Sequence, residues 1–515
     1  MTWKMIVGGC LLGERDKRHA RTRRLPCALF SGWLLLVGAS HCVCVGIECW
    51  PKPSSGERND SFSFTETTRR SPQTLSLSSC AGCHGSHDVT LNQNSDQRWK
   101  SAYQIWVSCD PHAGAYHALR NKRSRLIVAA LASGSSVERS AVRQTNVSEN
   151  EYQQILNQRC VACHSSVPPA MSVEMAQRSI GSDASDHPKS ATLLMGTGVN
   201  CHSCHSVDPL DQPDGNPWIE AHTKVGWHEP TVDQVAMGLQ NLADLSWRAR
   251  TCVRCHVGTA AGDVNHDLIA AGHPRLEFEF ASYLARLPKH WQEPELADFT
   301  SRCWSAGKLE TARATLNLLN HRATLATQQS GPWPEFAEYD CGSCHHSLAG
   351  QRMALTDVSQ PRSWLIWSQP QLTGLANPDL SRLRNEMQRP YPDPATILQL
   401  ADARIEAEPP WQPVEHLLVC LESSPPLWRT DLSDWYGAVQ VCLTELLPKN
   451  SPARSMLKER LEKFRSSVTK NSEVRSSDSE SAAEIKQQIM EIQQILVPLL
   501  KDQLAAERNA TRQTQ

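Results

Sequence analysis

The sequence has almost no net charge, and it lacks the compositional extremes that mark several classes of protein. Its 52 Lys and Arg nearly balance its 54 Asp and Glu, so the formal charge of −2 gives no global reason to expect a nucleic-acid partner. Hydrophobic residues make up 40% and charged residues 21%, which argues against both wholesale disorder and a polytopic membrane protein. With 515 residues the chain can bury a sizeable core, which excludes a mini-protein held together by disulfides.

The N-terminus carries the pattern of an export signal. Four arginines between Arg18 and Arg24 precede the apolar run 25–39, and small residues follow. This order is typical of a secretory signal, so residues 1–49 are predicted to be a signal peptide. Counting on to Ile47 makes the stretch nearly long enough to span a bilayer, so an uncleaved N-terminal membrane anchor is the alternative. The mature protein is expected to be periplasmic or otherwise extracytoplasmic.

Cysteine and histidine are the residue types in excess, with 19 and 20 residues. Ten of the cysteines fall in five copies of the pattern C-x-x-C-H, which is the pattern of c-type haem attachment. The first and second cysteines of the copies are Cys80 and Cys83, Cys160 and Cys163, Cys201 and Cys204, Cys252 and Cys255, and Cys341 and Cys344. The histidines that follow them are His84, His164, His205, His256 and His345.

The spacing fits the chemistry of haem attachment. Two thiols three positions apart can add to the two vinyl groups of one porphyrin, and the next residue then places its imidazole beneath the iron. We therefore predict five covalently attached haem c groups, with the five motif histidines as axial ligands. Zinc knuckles are the alternative, but zinc has no need of a histidine after each C-x-x-C pair. A thioredoxin-type C-x-x-C would occur once per βαβ domain rather than five times.

The second axial ligands are predicted to be histidines as well. Thirteen further histidines lie beyond the leader, and all but His416 fall within residues 80–346. The 10 methionines show no such concentration, so bis-histidine ligation is expected at most or all irons. The four distal ligands predicted with most support are His112, His222, His266 and His273. The candidates for the fifth are His87, His117, His187, His228 and His290, whereas His202 and His346 are predicted bystanders.

The motif density divides the chain into regions. Residues 50–79 are rich in Ser, Thr and Pro and are predicted to be a flexible spacer. A pentahaem domain over 80–351 is expected to be mainly α, with much irregular structure and little sheet. Residues 352–515 contain no motif and are predicted to be a helical C-terminal region, with a polar linker at 466–481.

Apolar periodicity locates individual helices. The spacing predicts helices over 275–287 and 308–326 in the haem domain, and over 453–465 and 482–507 near the C-terminus. Pro498 is expected to kink or end the last of these. The last two helices are expected to form an intramolecular hairpin on the haem domain, and a homodimer through them is the alternative. For Cys109, Cys303, Cys420 and Cys442, disulfides and inert buried thiols both stay open.

Two stretches resemble the multihaem cytochrome c superfamily. They are Gly198–His205 followed by Trp218 and His222, and residues 252–278 with Asp263-Val-Asn-His-Asp-Leu-Ile-Ala-Ala-Gly-His-Pro. The superfamily includes the tetrahaem cytochrome c-554 family and, more distantly, pentahaem nitrite reductase and octahaem hydroxylamine oxidoreductase. The resemblance covers about residues 75–350 and implies distal ligation by His112, His222, His266 and His273. The chain departs from it with five motifs instead of four and with no C-x-x-C-K.

These features favour an electron carrier over an enzyme, with no catalytic residue assigned. We expect an exported multihaem c-type cytochrome that transfers single electrons between redox partners, either redox proteins or quinol-linked membrane complexes. The alternative is a multihaem oxidoreductase that acts on a small nitrogen or sulfur oxyanion at one haem with an open coordination position. No nucleic-acid partner is expected.

Overall fold

The computed structural model describes most of the motif-bearing region and most of the C-terminal region. The described residues are 77–86, 95–133, 147–166, 198–206, 217–227, 232–276, 278–296, 298–339, 364, 378–401, 413–422, 429–471 and 479–514. Several sequence predictions lie outside them: the signal peptide 1–49, nearly all of the spacer 50–79, the fifth motif Cys341–His345, and His87, His187, His228 and His346.

The described part of the chain is mainly helical, with 70% helix and 2% strand, which confirms the predicted fold class at that level. The strand content consists of isolated bridges, and no sheet forms among the described residues. None of the described helices is both long and apolar enough to cross a membrane.

Short helices dominate the motif-bearing region. In chain order they are α1 (Leu77–His84), α2 (Ala102–Cys109), α3 (Ala115–Ala118), α4 (Lys122–Ala132), α5 (Glu149–Arg159), α6 (Val161–His164), α7 (Cys201–His205), α8 (Trp218–Ala221), α9 (Leu245–His256), α10 (His266–Ala270) and α11 (Phe280–Arg286). Turns of 3-10 helix occupy Ser95–Ser101, Pro111–Gly114 and Phe336–Glu338.

Longer helices follow. They are α12 (Phe299–Thr327), α13 (Pro378–Met387), α14 (Pro394–Ala401), α15 (Pro413–Glu422), α16 (Arg429–Val441), α17 (Pro452–Asn471) and α18 (Ser479–Thr514), with a π-helical segment at Cys442–Leu446 after α16. Their apolar residues recur at helical spacing, so each can bury one face against its neighbours.

Helix α12 joins the two regions. Its Cys303 packs with Val253 of α9, which carries the fourth motif. Its Trp304 is buried among C-terminal helices, and its Leu316 and Leu319 pack against α13 and α14. A single helix is therefore shared between the motif-bearing helices and the C-terminal core.

The C-terminal helices α17 and α18 form the predicted intramolecular hairpin. Ile489, Ile492 and Leu496 of α18 are buried in the same apolar cluster as Leu457 of α17, and Trp304 of α12 belongs to that cluster too. The apolar seam of α18 thus packs against the protein's own chain.

Several helix boundaries differ from the predictions, and α12 begins at Phe299 instead of at 308. Helix α11 begins only at Phe280, not at 275, because Glu279 caps it by accepting hydrogen bonds from Ala281 N and Ser282 N. The polar linker predicted over 466–481 is too long at both ends, since α17 continues to Asn471 and α18 begins at Ser479. Pro498 does not end α18, which continues to Thr514.

Candidate functional site

The four described motifs share one local geometry, in which the histidine is the last residue of a helix. The first motif lies on α1, the second at the junction of α5 and α6, the third on α7 and the fourth at the end of α9. Helix starts are fixed by polar caps: Asn200 accepts from His202 N before α7, and Asp244 accepts from Ser246 N and Trp247 N before α9. One helical turn therefore presents both thiols and the imidazole together.

Three motif histidines face a second histidine from elsewhere in the chain. The ring centroids of His84 and His222 are 6.4 Å apart with an interplanar angle of 21°. Those of His205 and His290 are 6.0 Å apart at 53°. Two imidazoles on opposite sides of one metal, each with a bond of about 2 Å and a ring centre roughly 1.1 Å beyond the nitrogen, would have centroids about 6.2 Å apart.

The third such pair is His256 and His112. Their centroids are 6.1 Å apart, and the rings are nearly perpendicular at 84°. Phe278 stacks on His256 at 4.9 Å and Tyr283 meets it edge-on at 5.1 Å, so two aromatic rings also pack against this imidazole. All three separations match a pair of imidazoles that share one metal.

His273 lies close enough to the motif histidine His164 for the two imidazoles to interact electrostatically. Burial lowers the pKa of the His273 imidazole, and His164 is close enough to lower it further. Helix α10 ends before His273, as Gly272 and Pro274 predict, because Gly272 adopts a positive φ of 113°. The Arg123 guanidinium donates to the Gly272 carbonyl oxygen at 2.7 Å and so fixes this turn against α4.

The ring nitrogen Nδ1 of four histidines bonds to a backbone carbonyl oxygen. The partners are Trp99 for His84 (3.0 Å), Ala115 for His164 (2.9 Å), Trp218 for His222 (3.1 Å) and Pro274 for His273 (2.7 Å). A carbonyl oxygen can only accept, so Nδ1 carries the hydrogen and the lone pair of Nε2 is left for a metal. His112 is held differently, because its Nδ1 bonds to the Asp110 carboxylate at 2.8 Å.

Burial keeps most of these imidazoles neutral, which is the form that binds a metal. It lowers the pKa of both His205 and His256 to about 4, with smaller effects from the facing histidines. Burial also lowers the pKa of His164 and His290. The pKa of His112 is raised instead, chiefly by its hydrogen bond to Asp110.

Cysteines of different motifs lie next to one another. Cys80 of the first motif forms a hydrogen bond with Cys201 of the third, which lowers the pKa of the Cys80 thiol to about 7. Cys163 of the second motif forms one with Cys255 of the fourth, which raises the pKa of Cys163 and lowers that of Cys255. The third and fourth motifs are also close.

The pKa of Cys204 shows that the third and fourth motifs lie close together. Burial raises the pKa of its thiol to about 12, and the charges of Cys255 and Asp110 add to that shift. Burial likewise raises the pKa of Cys252 to about 12, with a contribution from Cys204. The attachment cysteines are therefore adjacent in the order first, third, fourth and second motif.

Glycine is required at two places where the backbone passes close to the site. A Cβ at Gly262 would lie 2.8 Å from Cys163 Sγ. A Cβ at Gly198, which has a φ of 68°, would lie 2.6 Å from the His112 carbonyl oxygen. Because Gly262 has no side chain, the turn after α9 can pack closely against the second motif. Because Gly198 has none, the turn at His112 can pack closely against the start of the third motif.

Of the four distal histidines predicted with most support, His112 and His222 each face a motif histidine, and His273 lies within electrostatic range of His164. His266 does not face a described motif; it begins α10, and its ring lies 5.7 Å from Phe336, a few residues before the fifth motif in the chain. Of the remaining candidates, the structure describes His117 and His290, and His290 faces the motif histidine His205. His117 is exposed on α3.

No local signal singles out His290 in the sequence, because its partner His205 lies far away in the chain. The nearest cue is Trp291, whose indole meets the His290 ring edge-on at 5.0 Å.

Among the described residues, no three or more His, Cys, Asp or Glu side chains surround a single metal position. The arrangement on the described helices is one of histidine pairs beside cysteine pairs, which is the donor set of a covalently attached, bis-imidazole iron porphyrin. No protein-family model, curated protein or solved structure significantly matches the chain.

Proposed function

We propose that the protein is an extracytoplasmic multihaem c-type cytochrome that transfers single electrons between redox partners. The observation that carries the proposal is the pairing of motif histidines with distant histidines at 6.4, 6.1 and 6.0 Å, the separation expected across one iron. Redox proteins or quinol-linked membrane complexes are the proposed partners.

The residues present fit haem c. In each motif the two cysteines would hold the porphyrin, and the axial imidazole pairs would be His84 with His222, His164 with His273, His205 with His290, and His256 with His112. His345 and His266 are proposed for the fifth group. When bound, haem c supplies an iron that accepts and releases one electron without gaining or losing a ligand.

The protein's own contribution is to fix the ligands. The Nδ1 hydrogen bonds to backbone carbonyls hold four imidazoles in one tautomer and one orientation, whichever oxidation state is present. Because no side chain has to move or change protonation, little reorganisation accompanies electron transfer.

The contacts between cysteines support a continuous arrangement. Since Cys80 meets Cys201, Cys204 lies near Cys255, and Cys255 meets Cys163, groups attached to the four described motifs would be neighbours in the order first, third, fourth, second. Trp218 lies between two of the pairs, 5.3 Å from His222 and 6.4 Å from His205. Close succession of sites is what an electron carrier requires.

The test is the haem content and spin state of the exported, purified protein. Pyridine haemochrome analysis is expected to give five covalent haems per chain, and low-temperature electron paramagnetic resonance is expected to give low-spin ferric signals. Zinc without haem would overturn the proposal. A high-spin iron that binds added ligands and turns over a nitrogen or sulfur oxyanion would replace it with the oxidoreductase alternative.

A further inference from the structure

His112 differs from the other fixed histidines in what holds its ring. Four imidazoles bond through Nδ1 to a neutral backbone carbonyl, whereas His112 bonds to the carboxylate of Asp110. Hydrogen bonds to an ionised acceptor are about twice as strong as neutral ones, and they draw the Nδ1 proton towards the acceptor. The Nε2 atom of His112 is thereby made a stronger electron donor than its counterparts.

The Asp110 side chain is rigidly held and only 12% exposed. It lies between α2 and the Pro111–Gly114 turn: its backbone N–H donates to Trp106 O at 3.1 Å, which closes α2. Its Oδ1 accepts from both His112 N, at 2.9 Å, and His112 Nδ1, at 2.8 Å. Among the described residues, no lysine or arginine forms an ion pair with this carboxylate, and His112 is its side-chain hydrogen-bond partner.

Asp110 also lies near the neighbouring site. The His112 carbonyl oxygen accepts from Val199 N at 3.0 Å, and Trp106 Nε1 donates to Val199 O at 3.0 Å, so the turn that carries Asp110 lies against the start of the third motif. Asp110 therefore lies at the junction of the third and fourth sites, in hydrogen-bond contact with a ligand of the fourth and at longer range from the third.

We infer that Asp110 is a positioning residue that lowers the reduction potential of the haem held by His256 and His112, and lowers that of the haem held by His205 and His290 to a smaller extent. This inference rests on the proposed function. A negative charge and a strengthened donor ligand both stabilise the ferric state relative to the ferrous state. The hydrogen bond affects the fourth site alone, so the fourth site receives the larger effect.

The test is Asp110→Asn in the full-length, haem-loaded protein. Asparagine keeps an Oδ1 that can accept from His112 N and Nδ1, but it removes the charge. In a spectroelectrochemical titration, the ferric-to-ferrous equilibrium of one haem is expected to shift towards ferrous by about tenfold, equivalent to about 59 mV for a one-electron couple. A second haem is expected to shift in the same direction by less, and the g values of one low-spin signal to change.

The matched control is Asp244→Asn, which also removes a capping carboxylate, from the start of the helix that carries the fourth motif. It is expected to leave the potentials unchanged. His112→Met identifies the fourth haem by its altered ligand spectrum, and in that background Asp110→Asn should lose the larger part of its effect.

Five haems with potentials that Asp110→Asn leaves unchanged, or shifts uniformly, would overturn the inference while leaving the proposed function intact. A wild-type protein without haem would overturn the proposed function itself. Asp110→Asn could be unreadable because the variant loses haem. In that case Asp110→Glu, which keeps the charge, is measured instead and is expected to have the wild-type reduction potential. A shifted potential in Asp110→Glu would contradict the role of the charge.

Discussion

The motif-bearing region and the C-terminal region differ in the size of their buried apolar clusters. The largest apolar cluster among the described residues has 19 buried members and is formed by the C-terminal helices with Trp304 of α12. The cluster beside the second motif has 5 buried members, and the one beside the fourth has 7. The described C-terminal helices therefore share one large apolar core, whereas the described motif-bearing helices have smaller apolar clusters.

The contrast is sharpest around the first and third motifs. None of the apolar clusters formed by the described residues contains a residue of α1 or α7. Among the described residues, the side chains in contact around these two helices include imidazole, indole and thiol groups: His84, His222, Trp218, Cys80 and Cys201. Under the proposed function, a covalently attached haem would add buried apolar surface between these described helices and so stabilise them.

The largest expected effect on stability comes from preventing haem attachment at the third motif. Under the proposed function, replacing both Cys201 and Cys204 by serine should remove more than about 5 kcal/mol of stability from the surrounding helices, because the attached haem would supply most of the folding free energy there. Hydrogen exchange should show loss of protection over 77–109 and 198–227, with protection retained over 452–514. Cys109→Ser, at an exposed cysteine outside the motifs, is the control. Equal loss of protection in both regions would contradict the comparison.

The converse change is a cavity in the C-terminal core. Ile492 is fully buried, and Ile492→Ala is expected to lower the free energy of unfolding of this region by about 2–5 kcal/mol. Denaturant unfolding followed by circular dichroism measures the change, and the haem spectrum should stay the same. Met490 is 48% exposed on the same helix, so Met490→Ala should alter stability by no more than about 0.5 kcal/mol. A changed haem spectrum in Ile492→Ala would show that a change in the C-terminal core also alters the haem sites.

The same contrast explains how much of the fold could be predicted. In the C-terminal region, periodicity alone predicts α17 and α18, because long apolar faces are what these helices bury. The predicted ends are wrong where local polar contacts decide them, as with the Glu279 cap of α11. In the motif-bearing region the sequence predicts the motif residues and little of the regular structure around them.

In the candidate site, most of the individual ligands could be predicted from nearby sequence, whereas their pairing could not. The motif histidines follow from spacing, and His222 and His273 from the residues around them. The pairing of each motif with its distal histidine depends on contacts between distant segments, such as the Trp106 Nε1 hydrogen bond to Val199 O that joins α2 to the third motif. His290 could be named as one of five candidates, but its assignment to His205 required the fold.

Removing a single distal ligand tests that assignment with a smaller effect. His290→Ala should convert one haem from low-spin to high-spin while the others are unchanged, because His290 is the described histidine that faces His205. Electron paramagnetic resonance measures the spin state, and added imidazole should restore the low-spin signal. His117→Ala, at an exposed histidine, should change nothing. A fully low-spin His290→Ala protein would mean that another residue ligates the third haem.

The smallest expected effect comes from adding one methyl group beside a motif cysteine. Gly262→Ala would place a Cβ 2.8 Å from Cys163 Sγ, so the turn or the second motif must move, at a cost of about 1–3 kcal/mol. Mass spectrometry is expected to detect a fraction of chains that lack one haem. Gly82→Ala puts the same methyl group inside the first motif, where no atom lies within 4 Å, and should leave haem content unchanged. Because both glycines adjoin attachment cysteines, equal haem loss in the two variants would show that the close approach at Gly262 is not what matters.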